Sequence, residues 1–269
     1  LVGLGIATIL VWREAFASPD GRLHLIVLDV SQGSHSGEGL LIRTPQGRTL
    51  LINGGPSASR LSDALGRQLP LFSRRLDFLV VAGVQNGQLQ ALPEVLARYP
   101  PQQVLWAGPL QASRSSRNLH EKLATERIPL KLAQTGQALN LGSGASLHLL
   151  EVGQRGAVLL LEWQDFRALL PIGMSFDEMA ALENGKQVGR VTALLLADSG
   201  YAPLNPPAWI AALQPQVILL SVSLKDTTGL PSPAALEAVE GYTLLRTDYN
   251  GWIELCTDGE RMWVEAERK

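Results

Sequence analysis

Short, continuous apolar runs set the strongest limit on how this chain folds. Phe78 to Val81, Thr192 to Ala197 and Val217 to Val222 are too short for self-sufficient helices and show no polar alternation. That is the pattern of strands covered on both faces. A sheet made of such strands needs packing above and below it, so at least three layers are required. The remaining segments supply them. Leu23 to Val30, Gly39 to Arg43 and Thr49 to Ile52 read as antiparallel strands, the last two joined through the turn Pro45-Gln46-Gly47-Arg48. Apolar residues at helical spacing mark Ser59 to Leu69 and Leu89 to Tyr99. Ser113 opens a helix to Thr125, and Gln103 to Trp106 is a strand between helices.

The second half repeats the scheme. Strands are expected at Leu139 to Leu141, Ser146 to Val152, Ala157 to Trp163 and Phe166 to Pro171, and later at Tyr242 to Thr247, Gly251 to Cys256 and Met262 to Ala266. Helices are expected at Phe176 to Glu183, around Trp209 to Leu213, and at Pro233 to Val239. Two strand-rich halves with attached helices predict two sheets packed face to face, with helices outside.

Ahead of this lies an apolar run, Leu1 to Trp12, followed by Arg13 and Glu14. It is shorter than the roughly 20 residues that span a bilayer and has neither the basic start nor the cleavage site of a signal peptide. Its apolar character all round suggests the last turns of a transmembrane helix; the alternative is a helix docked on the domain. We therefore expect residues 1–20 to be a membrane-proximal helix plus linker and residues 21–269 to form the folded domain.

Composition excludes several classes of chemistry. A net charge of −2 gives no overall attraction to nucleic acid. One cysteine, Cys256, rules out intramolecular disulfides, iron–sulfur ligation and zinc sites built on cysteines. The four histidines, His24, His35, His120 and His148, form no HxH or HExxH group. His24 and His148 are expected at an edge or face of strands, His120 toward solvent, and His35 in a solvated loop. Gly33-Ser34-His35-Ser36-Gly37 has histidine where a nucleophile elbow needs serine, Gly37-Glu38-Gly39 lacks the third glycine of a dinucleotide fingerprint, and no phosphate loop is present. Ser199 reads as a turn residue. Arg114 and Arg117, at the start of a Ser-rich helix, are candidate DNA contacts without interleaved aromatic residues; Trp106 is expected at the rim of the same cleft.

The segments Leu28-Asp29-Val30-Ser31-Gln32-Gly33, Leu51-Ile52-Asn53-Gly54-Gly55, Leu92-Pro93-Glu94-Val95-Leu96 and Arg246-Thr247-Asp248 resemble, in order and spacing, the metallo-β-lactamase-like domain of the ComEC/Rec2 competence proteins. The resemblance runs from Leu23 onward. It implies an α/β, four-layer αββα sandwich on the extracytoplasmic face of a membrane channel for DNA uptake. It also implies where a binuclear metal site would stand. The family's HxHxDH ligands fall on Gly83, Gln85, Gly87 and Gln88. Its Asp-Gly-Gly falls on Asn53-Gly54-Gly55, a further aspartate on Met174, its His-His-Gly-Ser on Asp198-Ser199-Gly200-Tyr201, and its Gly-His-Pro on Gly229-Leu230-Pro231.

Of these positions only Asp198 retains an anionic group, and neutral amides or a thioether make a poor cage for two divalent ions. The expectation is a metal-free, non-catalytic domain with no cofactor, in a structural or single-strand-guiding role. Its expected partners are the channel's own membrane domain, single-stranded DNA and other competence proteins. Two alternatives stand beside it. One is a rewired nuclease for the non-transported strand, using zinc or manganese; the other is a protein-interaction module.

Overall fold

The structure, a computed structural model, describes residues 19–70 and 74–268. The expected helix Leu1 to Trp12 lies outside the described residues. Among the described residues no helix is long and apolar enough to cross a membrane.

The chain first lays down β1 (Leu23–Val27), β2 (Gly39–Arg43) and β3 (Thr49–Asn53) as antiparallel neighbours. It then adds β4 (Leu76–Val81), β5 (Pro101–Trp106) and β6 (Leu130–Leu132) in parallel. Helix α1 (Ala58–Gln68) connects β3 to β4. The short helices α2 (Asn86–Leu89) and α3 (Leu92–Val95) connect β4 to β5, and α4 (Arg114–Thr125) connects β5 to β6.

A second sheet begins with the antiparallel strands β7 (Ala138–Gly142), β8 (Ala145–Val152), β9 (Ala157–Trp163) and β10 (Phe166–Leu170). Helix α5 (Phe176–Ala181) leads to β11 (Ala193–Leu195), α6 (Pro207–Leu213) to β12 (Val217–Leu220), and α7 (Pro233–Ala238) to β13 (Thr243–Arg246), with β10 to β13 parallel. After one turn of helix, α8 (Thr247–Asn250), the chain returns to the first sheet as β14 (Ile253–Thr257) and β15 (Met262–Ala266). The orders are β15-β14-β1-β2-β3-β4-β5-β6 and β13-β12-β11-β10-β9-β8-β7.

Side-chain alternation makes four layers from these pieces. Leu50 and Ile52 point between the sheets and meet Leu159, Leu161 and Leu219 from the second sheet. Leu51 points outward to Leu61 and Leu65 of α1, while Trp209 and Leu213 of α6 cover the outer face of the second sheet. Both faces of the central strands are dry, which is why their sequences are continuously apolar.

Helix starts follow local chemistry. The Ser57 hydroxyl caps α1 by accepting from the Arg60 N–H, and Ser113 with Ser116 forms a capping box on α4.

Two expectations are corrected. The helix predicted over Leu89 to Tyr99 is broken into α2 and α3. Pro93 has no N–H to give to the Leu89 carbonyl, and the Ala91 N–H bonds instead to Gly55 O at 3.1 Å. Strand β6 was not foreseen: Leu-Lys-Leu is too short to show a period, and its half-exposed edge position explains the lysine.

Candidate functional site

A cleft of about 180 Å3 opens at one end of the sandwich, where loops from both sheets meet. Gln85, Gly87, Gln88, Asp198, Ser199 and Leu230 contribute to its wall. The structure thus brings together most of the positions singled out in the sequence. Asn53 and Gly83 stand directly behind Gln88: a Cβ on Gly83 would come 3.1 Å from Asn53 Nδ2 and 3.3 Å from Gln88 Cγ. Met174 is the exception. It is buried in the outer core of the second sheet, packed with the apolar layer that includes Leu196 and Ala197.

The position that decides the chemistry was missed by sequence reasoning. Glu38, at the end of the stretch Ser34 to Glu38, has no exposed surface. Gly37 lets this stretch lie against the loop after β4, since a Cβ there would come 2.2 Å from Gly87 O. Glu38 Oε2 accepts from Gln88 Nε2 at 2.6 Å, and Gln88 Oε1 accepts from the Glu38 N–H at 3.2 Å. The same Gln88 oxygen accepts from Asn53 Nδ2 at 3.1 Å. Asn53 Oδ1 in turn accepts from the backbone N–H groups of Ala82 at 2.9 Å and Gly83 at 3.2 Å. Carboxyl, amide, amide and backbone form one chain of hydrogen bonds, with Glu38 Oε1 left unpartnered. The only hint in the sequence is a glutamate between two glycines ahead of an apolar strand.

Electrostatics follows from this burial. The Glu38 carboxyl is pushed up to about 8, first by desolvation and then by the charge of Asp198, against the opposing pull of Gln88, the Ser199 backbone and Arg155. Asp198 is half-buried and bound to Arg155 Nη2 at 2.8 Å, a partner contributed by the β8–β9 turn. Both Asp198 and Ser199 hold left-handed backbone, with φ of 49° and 52°, ahead of Gly200. On the opposite lip, burial of Asp226 is outweighed by donors from Ser36, Thr228 and the Leu230 N–H, which hold its carboxyl below the usual range. Ser36 Oγ donates to Asp226 Oδ2 at 2.6 Å, so the stretch Ser34 to Glu38 is tied both to Asp226 and, through Glu38, to Gln88.

Other sequence candidates lie as follows. His35 is exposed on the cleft rim. Arg114 and Arg117 are exposed at the start of α4; the Ser115 N–H donates to Asn86 Oδ1 at 3.0 Å, so this helix end sits beside the loop after β4. Trp106 is not at the rim but fully buried in the outer core, and His120 is half-buried with its ring edge-on to Trp106 at 6.4 Å rather than facing solvent. His24 lies on β1 in the interior of the sheet, its ring held between the carboxylates of Asp20 and Glu254.

No protein-family model matches the sequence, and no curated protein does. Solved structures do match. CmlA, a diiron β-hydroxylase from Streptomyces venezuelae, aligns over 88% of this chain and 54% of its own, with TM-score 0.53 and 14% identity. Zn2+-bound PqqB from Methylobacterium extorquens aligns over 83% of this chain and 97% of its own, with TM-score 0.57 and 13% identity. A diphosphatase of the PhnP family aligns over 82% and 94%, with TM-score 0.50 and 13% identity.

The chain has the metallo-β-lactamase fold. It spans about half the length of CmlA.

These structures correct one expectation. A domain without any cofactor was anticipated, yet the proteins that share this fold include a zinc-bound and a diiron protein, so the fold gives that expectation no footing. The donors in the cleft are a poor set for a metal pair. Asn53, Gln85 and Gln88 present neutral amides, Asp198 is already paired with Arg155, Glu38 lies in the hydrogen-bonded chain, Asp226 is held by Ser36, Thr228 and the Leu230 N–H, and His35 is a single exposed imidazole on the rim. Among the described residues, the one gathering of three His, Cys, Asp or Glu donors is Asp20, ahead of β1, with His24 on β1 and Cys256 on β14. The cleft residues do not fit a binuclear centre.

Proposed function

We propose that this domain is the metallo-β-lactamase-like module of a DNA-uptake channel of the ComEC/Rec2 type, on its extracytoplasmic face, where it supports the channel structurally rather than hydrolysing DNA. The observation that carries this reading is the hydrogen-bonded chain Glu38–Gln88–Asn53, which ties the ligand end of the fold together and leaves one side-chain oxygen, Glu38 Oε1, without a partner. Polar groups committed in this way rigidify a loop cluster, and the amides of Gln88 and Asn53 are neutral groups that cannot act as a base toward water. The module's partner is then the membrane part of the same channel.

A nuclease assay tests this directly. Incubation with single- and double-stranded DNA and Mn2+ or Zn2+ should give no cleavage beyond that of an Asp198→Ala variant. Chelator-sensitive cleavage that disappears in Asp198→Ala would overturn the proposal and support a rewired hydrolase.

A second reading, guidance of single-stranded DNA, is favoured by one feature: Arg114 and Arg117 are exposed beside the cleft loop. The cleft itself carries Asp198 and Asp226, so phosphates are confined to the helix end. Binding by this route weakens steeply with salt and is lost when both arginines become alanine.

A further inference from the structure

The Asp20, His24 and Cys256 group lies away from the cleft and makes no part of the reading above. Strand register creates it. His24 on β1 is directly opposite Cys256 on β14, and Glu254 follows on the same face two residues earlier. The three candidate donor atoms, a carboxylate oxygen of Asp20, a ring nitrogen of His24 and Cys256 Sγ, all lie within 4.8 Å of one another. That spread suits three corners of a tetrahedron around an ion with bonds of about 2.0 to 2.3 Å.

The orientation of His24 supplies a second, independent observation. Its Nδ1 meets Glu254 Oε1 at 2.5 Å, and that carboxylate is fixed from its other side by Arg43 Nη2 at 2.8 Å. The other ring nitrogen, Nε2, meets Asp20 Oδ2 at 2.9 Å, so both atoms already point at one place, where an ion would replace their hydrogen bond. A carboxylate behind the far nitrogen of a metal-binding histidine is the usual supporting arrangement, since it fixes the tautomer and raises the basicity of the ligating nitrogen.

We propose that Asp20, His24 Nε2 and Cys256 bind one divalent transition-metal ion, of the zinc class, with Glu254 as the positioning residue behind His24 and the fourth coordination position open. The mixed O, N and S donors select zinc-like ions over calcium or magnesium. The site contains a single cysteine and donors more than two hundred positions apart, so no spacing motif announces it. Its structural effect is to tie the residue that precedes β1 to β14, the strand through which the chain's C-terminal part rejoins the first sheet.

Cobalt titration of the chelator-stripped full chain at neutral pH tests the proposal. The expected result is saturation at one Co2+ per chain, with the intense visible bands of four-coordinate cobalt and a thiolate-to-cobalt charge-transfer band that Zn2+ displaces. Cys256→Ser should abolish the charge-transfer band. Asp20→Asn, at an exposed position, should weaken binding with the circular dichroism unchanged. Glu254→Gln should weaken binding about tenfold to a hundredfold while keeping the band. Absence of the band in the wild-type chain overturns the proposal, as does a band that persists in Cys256→Ser. Neither result bears on the cleft, where nuclease activity is the readout.

Discussion

A carboxyl group with no exposed surface is tolerated when it is neutral, and Glu38 is held in that form over most of the ordinary pH range. Its pKa of about 8 in the folded chain, against 4.5 as the ordinary value, means that the folded state binds more protons between those limits. Stability from this group is therefore fully present below about pH 4.5 and is lost as pH rises through 8. The total is on the order of a few kcal/mol. Glu38→Gln keeps an acceptor for Gln88 and cannot ionise. Urea unfolding from pH 5 to pH 9 should show that the variant gains stability relative to wild type as pH rises; parallel profiles would count against a buried neutral acid. Asn53 gives a second residue-scale test. Asn53→Asp removes the Nδ2 donor to Gln88 and adds a buried charge, so a loss of about 2 to 3 kcal/mol is expected in the same assay at neutral pH. Asn53, Gln85 and Gln88 could be located in the sequence because they lie in loops that follow apolar strands and the resemblance to the ComEC/Rec2 domain puts ligand positions on them. Glu38 could not, because its meaning depends on Gln88, which lies fifty positions away and is reached only through the close approach of Gly37 to Gly87.

At the scale of elements, the base of the cleft depends on a junction between the two sheets. The Val84 N–H donates to Arg155 O at 3.1 Å, the Ala157 N–H to Ala82 O at 2.8 Å, and Gly83 faces Gly156 as an isolated bridge. The loop after β4 and the β8–β9 turn are thus zipped together, which brings Gln88 from one sheet toward Asp198 and its partner Arg155 in the other. Gly156 allows this contact: its φ is 135°, and a Cβ would lie 2.0 Å from Ala82 O. Gly156→Ala must either part the zipper or displace β4, and should destabilise the chain by about 3 kcal/mol or more, read as a lower urea midpoint at unchanged slope. Strands buried on both faces were legible from their apolar runs, as was α4 from its serine cap. The break between α2 and α3 was not, because apolar spacing continues through Pro93 while the backbone hydrogen bonds do not. Sheet pairing was equally hidden: that β14 and β15 join β1 rather than β13 is a property of the folded layers, and with it goes the meeting of His24 and Cys256.

For the molecule as a whole, the inner core joins the two strand-rich halves. Leu25, Ile52 and Val80 from the first sheet and Leu147, Leu161 and Leu219 from the second bury their side chains in one shared layer, so neither sheet can lose its partner without exposing that face to water. The return of β14 and β15 to the first sheet after β13 of the second also binds the halves covalently in a crossed order. Unfolding should accordingly be one cooperative event. Among the described residues Trp106 and Trp209 are fully buried and are natural reporters, since Trp106 lies in the outer layer of the first sheet and Trp209 in that of the second. The chain has six tryptophans, so the signal of Trp106 or of Trp209 is the difference between the wild-type fluorescence and that of Trp106→Phe or Trp209→Phe. Each variant's fluorescence midpoint in urea should coincide with its own circular-dichroism midpoint. If the fluorescence of one half changes at a clearly lower urea concentration than the circular dichroism, the sheets are separable units, and the cleft between them is a junction that opens before the chain unfolds.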